Sequence, residues 1–201
     1  MFLRAVQQRV FATLLATISL GISTLNAETF WIWADGPGSR DAASIRRTFE
    51  VSSDLKEAIL IVTCDNGAQL FLDNKAVLTN ADWNEASRID LTRKLIPGKH
   101  ELRAECKNEG DISGFVARLS LKSISGKETL VETDASWEAT VPGRSLWKPA
   151  RVVAKYGDAP WGDALANASA SSGAPRVTDP ASIQIRPGFK VELIHAVPKS
   201  D

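Results

Sequence analysis

The sequence has few of the residues on which enzyme catalysis most often depends. It holds two histidines and two cysteines in 201 residues. It contains no HExxH, CxxC, GxGxxG or GxSxG pattern and no phosphate-binding loop. His100 follows a Pro-Gly turn, so we expect a solvated turn residue there. These absences argue against a zinc-dependent hydrolase and support no other enzyme class, and we predict that the protein is not an enzyme.

Excess charge of one sign is also lacking. The 24 basic residues balance the 24 acidic ones, and no long run of either sign occurs. A protein that binds nucleic acid or an anionic membrane usually carries a basic patch. We therefore predict no nucleic-acid partner. The hydrophobic fraction of 44% is that of an ordinary globular protein with a core of its own.

The amino terminus has the pattern of a secretory signal. Arg4 and Arg9 precede a short apolar run over residues 10–20, and Leu25-Asn26-Ala27 is typical of a signal-peptidase site. The run is shorter than the roughly 20 residues that a membrane-spanning helix needs. We predict a signal peptide over residues 1–27, a secreted or periplasmic mature chain, and no membrane span after cleavage.

Short runs with a period of two fill residues 28–163. Residues 45–51 alternate between apolar and polar side chains, and so do residues 114–122. Residues 57–64 are apolar on both faces, which is typical of a central strand. Turn residues separate these runs at regular intervals, and no long helical period interrupts them. The pattern predicts an all-β, antiparallel β-sandwich.

The composition changes after residue 163. Residues 163–175 are small and polar, which is typical of a flexible linker, and strand character returns around Pro187-Gly188. We predict a sandwich domain over residues 28–163, a linker over 164–182, and a separate strand region or disordered tail over 183–201.

The two cysteines lie at the ends of alternating strands. Cys64 ends one predicted strand and Cys106 ends another, and both side chains face inward if those strands form. They are either a disulfide or two separately buried thiols. Because a signal peptide predicts an oxidising compartment, we favour a disulfide between them.

Polar residues follow each cysteine. They are Asp65, Asn66, Asn108, Glu109 and Asp111. If the two strand ends meet, these oxygens lie together and suit sugar hydroxyls or a hard cation such as calcium. Turn chemistry alone also explains many Asp and Asn residues, and no 12-residue calcium loop is present. Trp83 lies in a polar loop and is our candidate for an exposed indole platform.

Several longer segments resemble a known family. They are FWIWADGP (30–37), RRTFEV (46–51), AILIVTCDNGAQLFLDNKAV (58–77), RIDLTRKLIPGKHELRAECKNEGDISGFVARL (88–119) and KPARVVAKYGDAPWG (148–162). Together they resemble the galactose-binding-like jelly-roll domain, which lies beside the catalytic domain of α-L-rhamnosidases and related glycosidases. The resemblance implies a jelly-roll sandwich. It also implies a rim at Asp65-Asn66 and Asn108 that some members use for carbohydrate or calcium.

The tail resembles a second family. Residues 183–198, IQIRPGFKVELIHAVP, are similar to the first propeller strand of membrane-bound or sorbosone-type dehydrogenases of planctomycete-type bacteria. Both resemblances together imply an exported, non-catalytic carbohydrate-binding-like module, the truncated front end of a larger exported enzyme. The alternative is a structural accessory domain that packs against a dehydrogenase or glycosidase catalytic domain. The expected partner is accordingly a glycan or a catalytic domain.

Overall fold

The computed structural model describes residues 28–110 and 112–170, where the chain folds into two facing sheets. The seven-stranded sheet contains β1 (Phe30–Trp33), β3 (Leu55–Asp65), β6 (Ser87–Asp90), β8 (Gly114–Ser123), β9 (Glu128–Glu132), β12 (Arg151–Lys155) and β13 (Ser169–Ala170). The six-stranded sheet contains β2 (Ala42–Val51), β4 (Gly67–Leu72), β5 (Lys75–Asn80), β7 (Gly98–Lys107), β10 (Glu138–Thr140) and β11 (Lys148–Pro149). The predicted signal peptide (1–27) and tail (183–201) lie outside the described residues.

The strands are arranged as a jelly-roll-like sandwich. The first sheet has the order β12-β1-β8-β3-β6-β13, with β9 also paired to β8, and the second has the order β11-β10-β2-β7-β4-β5. The strand pairs are antiparallel except for β6 and β13, which run parallel. This arrangement confirms the predicted antiparallel β-sandwich.

The main core forms because inward positions alternate with outward ones. On β2, Ile45, Phe49 and Val51 are buried between the sheets, whereas Thr48 and Glu50 face solvent. Apolar residues at alternate positions of the facing strands complete this interior. Among its fully buried members are Trp33, Leu60, Leu70, Leu102, Phe115, Leu119 and Trp137.

A second apolar cluster covers the outer face of the seven-stranded sheet. Its buried members are Trp31, Ala86, Val116, Trp161 and Leu165. Leu165 lies on a 3-10 helix, Ala164–Asn167, and is only 4% exposed. Packing against the sheet therefore includes Leu165, two residues past the domain end predicted at residue 163, and the backbone of β13 pairs with β6.

Nothing in residues 28–110 and 112–170 is a helix long and apolar enough to cross a membrane.

His100 differs from the solvated turn residue that we expected. Its ring is buried, with Nδ1 2.6 Å from Asp73 Oδ2 and Nε2 2.7 Å from the carbonyl oxygen of Ile96. Burial opposes its protonation, but hydrogen bonds to Asp73 and Ile96 raise the pKa of His100 overall. Both ring nitrogens face acceptors, so the charged imidazolium, which donates from both, fits this position best.

We expect the His100–Asp73 pair to make stability depend on pH. Because its folded pKa lies above the unfolded value of 6.5, His100 stabilises the fold fully below pH 6.5 and loses this contribution as pH rises through the folded pKa. The pKa of Asp73 is lowered despite burial, by hydrogen bonds from Glu101 and His100, so its contribution is lost only at acid pH.

Urea unfolding of the wild type and His100→Gln at a series of pH values checks this expectation. The difference in unfolding free energy is expected to be greatest between pH 4 and pH 6.5, where Asp73 is ionised and His100 is protonated, and to shrink as pH rises above 6.5 through the folded pKa of His100. A difference that stays constant up to pH 9 would contradict it.

Candidate functional site

Strand register brings several loops to one end of the sandwich, called here the pocket pole. Asp65, at the end of β3, pairs with Gly114 at the start of β8. Lys107, at the end of β7, pairs with both Ala42 and Gly67. The segments that follow Cys64 and Cys106 therefore lie side by side.

Asn66 joins these two segments. Its backbone N–H donates to the carbonyl oxygen of Lys107 over 2.8 Å, and its side-chain Oδ1 accepts from the backbone N–H of Glu109 over 2.6 Å. The Asp65-Asn66 peptide bond is cis. As the single residue between β3 and β4, Asn66 also connects one sheet to the other.

The two cysteines face each other across the core as free thiols. Cys64 lies on β3 and Cys106 on β7, and both thiols are buried near each other. The predicted disulfide is therefore not formed in this structure. Burial raises the pKa of the Cys106 thiol well above its usual value, which keeps the sulfur protonated.

Asn108 and Asp65 make hydrogen bonds within the fold. The buried Asn108 amide donates to the carbonyl oxygens of Arg40 and Gly110 over 2.9 and 3.0 Å. Asp65 Oδ2 accepts from the indole N–H of Trp161 over 2.9 Å. These contacts orient the loops of the pocket pole. Asp111, the remaining acidic candidate, lies outside the described residues.

Trp83 is not the fully exposed platform that we expected. It is half-buried and packs against the second apolar cluster. Its carbonyl oxygen accepts from the Thr63 hydroxyl over 3.0 Å. The indole therefore lies over the seven-stranded sheet.

A cleft of about 570 Å³ opens at the pocket pole, on the outer face of the six-stranded sheet. Its lining residues are Asn66, Ala68, Gln69, Thr79, Asn80, Ala81, Glu105, Cys106, Lys107, Glu109 and Pro142. The structure thus brings Asn66 and Glu109 together in the cleft, whereas Asp65, Trp83 and Asn108 are not among its lining residues.

Sequence reasoning missed Gln69, Thr79, Glu105 and Lys107. Gln69 and Glu105 are paired across β4 and β7, and Gln69 also pairs with Thr79 on β5. The sequence does place each of these polar residues at an outward position of an alternating strand. This alternation does not distinguish a binding cleft from an ordinary solvated face of a sheet, because both have the same pattern.

The cleft offers donors and acceptors in close alternation. The Glu105 carboxylate accepts from the Ser44 hydroxyl over 2.5 Å and pairs with Arg103. Lys107 lies 3.6 Å from Glu109, and both side chains are largely exposed, so screening by water leaves this pair free to exchange partners. Carboxylate, amide, hydroxyl and ammonium groups together suit a small ligand rich in hydroxyls.

The geometry of the described residues gives limited support for a calcium site. No group of three or more His, Cys, Asp or Glu side chains spaced to hold a metal occurs within the part of the chain that the structure describes. Asp111, the acidic candidate closest in sequence to Glu109, is not in that part. Calcium binding stays a prediction.

Comparison with known proteins points to sugar-related proteins. No protein-family model matches the sequence. The chain is 28% identical over 165 residues to an α-L-rhamnosidase of Streptomyces avermitilis, a match that covers 71% of this chain. The crystal structure of that organism's α-L-rhamnosidase complexed with L-rhamnose superposes with a TM-score of 0.61 at 26% identity over 68% of this chain. The described residues have the fold of a galactose-binding-like domain.

A lectin shares the fold of this galactose-binding-like domain. The Pleurotus ostreatus lectin in complex with GalNAc superposes with a TM-score of 0.59 at 22% identity, over 68% of this chain and 45% of the lectin. The domain matches only 16% of the length of the Streptomyces avermitilis enzyme in both the sequence and the structural comparison.

Proposed function

We propose that the galactose-binding-like domain is a non-catalytic carbohydrate-binding module whose ligand occupies the cleft at the pocket pole. The observation that carries the proposal is the cleft itself, about 570 Å³ in volume and lined by polar side chains on paired strands. This volume lies within the range of small-ligand sites. Side chains on strands also hold their positions better than side chains on loops.

The chemistry of the lining favours a neutral sugar. Gln69 and Asn66 supply amides, Thr79 supplies a hydroxyl, and Glu109 supplies a carboxylate. Amides donate and accept, and carboxylates accept, so adjacent sugar hydroxyls find complementary partners. The domain superposes on 16% of a rhamnosidase complexed with L-rhamnose and on 45% of a lectin in complex with GalNAc, which supports the proposal.

A role beside a catalytic domain is a second candidate. Its support is that a domain of this kind makes up 16% of an α-L-rhamnosidase. In this reading the module packs against a glycosidase or, as the tail's resemblance implies, a dehydrogenase catalytic domain. The two roles are compatible, since a glycan-binding module that is attached to an enzyme holds it at its substrate.

We also propose that the mature protein is secreted or periplasmic. The signal-peptide pattern before Glu28 supports export. Intact-mass measurement of protein expressed with its own leader is expected to give a chain that starts at Glu28. In an oxidising compartment the mass should fall further by two hydrogens, because the Cys64 and Cys106 thiols lie near each other. Retention of residues 1–27 would contradict export.

Removing cleft side chains is expected to weaken sugar binding without loss of stability. Calorimetric titration with L-rhamnose, galactose and N-acetylgalactosamine, with and without calcium, identifies the ligand. Gln69→Ala and Glu109→Ala are each expected to weaken its binding about tenfold, the effect of one lost hydrogen bond. Their unfolding free energies should stay within about 0.5 kcal/mol of the wild type, since both are surface positions.

Lys127→Ala is the matched control. Lys127 lies in the turn after β8, at the end of the sandwich opposite the pocket pole. Its loss is expected to leave sugar affinity unchanged. Equal affinity of all the variants for a sugar that the wild type binds would move the site away from the cleft. No binding of any sugar would overturn the proposed function.

A further inference from the structure

The indole N–H of Trp161 donates to Asp65 Oδ2 over 2.9 Å, and the Trp161 side chain is only 5% exposed. A hydrogen bond to a carboxylate is stronger than one between neutral groups, and partial burial strengthens it further. Trp161 thus links the segment after β12 to the last residue of β3.

Trp161 is itself held in place on its other faces. It stacks on Trp31 with ring centroids 4.4 Å apart and planes at 25°. Gly114 lies against this stack so closely that a Cβ there would come within 2.9 Å of both rings. The Gly114 backbone therefore packs directly against the stack, which restricts both indoles and the direction of the Trp161 N–H.

The bond acts next to the cleft. Asp65 precedes Asn66, the one residue that connects β3 to β4 and that bonds both Lys107 and Glu109. Trp161 restrains one side of this connection, and the Lys107 carbonyl oxygen restrains the other. Loss of the Trp161 bond frees the Asp65 carboxylate to rotate, and the position of Asn66 in the cleft becomes less defined.

We infer that Trp161 is a positioning residue for the cleft, acting through Asp65 and Asn66. This inference rests on the proposed function. It assigns the segment over residues 156–170 to the binding module, although its composition is partly that of a linker. A fixed side chain binds more tightly because less freedom is lost when the ligand arrives.

The chain provides a matched pair of variants for the test. Trp161→Phe keeps a ring in the stack but loses the N–H that bonds Asp65. Trp31→Phe makes the same change in the same stack, and the Trp31 indole N–H has no hydrogen-bond partner among the described residues. Only the first variant therefore loses a bond to the pocket pole.

Calorimetric titration with the sugar that the wild type binds measures the difference. Trp161→Phe is expected to bind about tenfold more weakly than Trp31→Phe at a temperature where urea unfolding shows both variants to be fully folded. In the wild type, the indole N–H resonance of Trp161 is expected to shift on sugar addition and that of Trp31 to stay. This second readout needs no variant to fold.

The outcomes separate the two claims. A wild type that binds no sugar overturns the proposed function together with this role of Trp161. A wild type that binds, with equal affinities for both variants or with a Trp161 resonance that stays in place, overturns the role of Trp161 alone. Weaker binding by Trp161→Phe that follows only from a lower unfolding midpoint also overturns it.

Discussion

Replacing Trp137 by alanine is expected to lower the free energy of unfolding by about 3–5 kcal/mol, the usual loss for a large buried aromatic side chain. Trp137 is 1% exposed, its indole N–H donates to the Glu132 carbonyl oxygen over 2.8 Å, and its ring lies 5.9 Å from that of Phe115. The substitution removes both contacts and leaves a cavity between the sheets. Most domains have only about 5–15 kcal/mol of stability, so the variant approaches unfolding.

Trp147→Ala is the control for the loss of a tryptophan. Trp147 is half-buried on the outer face of the six-stranded sheet, with the Arg46 guanidinium 4.1 Å from its ring centroid. An exposed cation–π contact is worth about 0.5–1 kcal/mol, so we expect a loss of about 1 kcal/mol. Urea unfolding of both variants measures the difference. Equal losses would mean that the interior is not packed as the structure has it.

The sandwich itself was predictable because alternation is a local property. On β2, buried Phe49 and Val51 alternate with solvent-facing Thr48 and Glu50, and buried Ile45 lies four residues before Phe49 on the same face, a pattern visible in the sequence. Residues 57–64, apolar on both faces, were correctly expected to form a central strand. β3 lies between β8 and β6, so it has neighbours on both edges.

The cleft was only partly predictable because it depends on strand order. Asn66 and Glu109 stood out because each follows a cysteine-bearing strand. Gln69, Thr79 and Glu105 meet only because β5, β4 and β7 are neighbours, and local alternation does not determine that order. Pairing across a sheet is a long-range choice, whereas the inward or outward direction of a side chain is a short-range one.

The packing of Leu165, past residue 163, was not predicted, for a different reason. Small and polar residues dominate residues 163–175, which is typical of a linker. Two apolar residues on other strands indicate that a later segment covers them. They are Ile61 of β3 and Val116 of β8, which face outward from the seven-stranded sheet. An apolar outer face needs a cover, and Trp161 with Leu165 provides one.

Asn80→Ala is expected to cost about 2–4 kcal/mol, because several buried polar groups lose their partner together. Asn80 is 2% exposed, and its Oδ1 accepts from the Cys64 backbone N–H over 3.1 Å. Its amide nitrogen donates to the Glu85 carbonyl oxygen over 2.9 Å and to the Ser87 hydroxyl over 3.2 Å. One side chain thus ties the loop after β5 to β3, at the wall of the cleft.

Asn84→Ala makes the same deletion four positions away, in the loop that Asn80 anchors. Asn84 is exposed and bonds only locally among the described contacts, to Asp82 Oδ1, so its loss should stay within about 0.5 kcal/mol. Hydrogen exchange adds a specific readout, since the Cys64 amide should lose protection in Asn80→Ala and keep it in Asn84→Ala. Similar unfolding free energies for the two variants would show that the buried amide does not hold the loop. A large difference with an unprotected Cys64 amide would identify Asn80 as the anchor of the cleft wall.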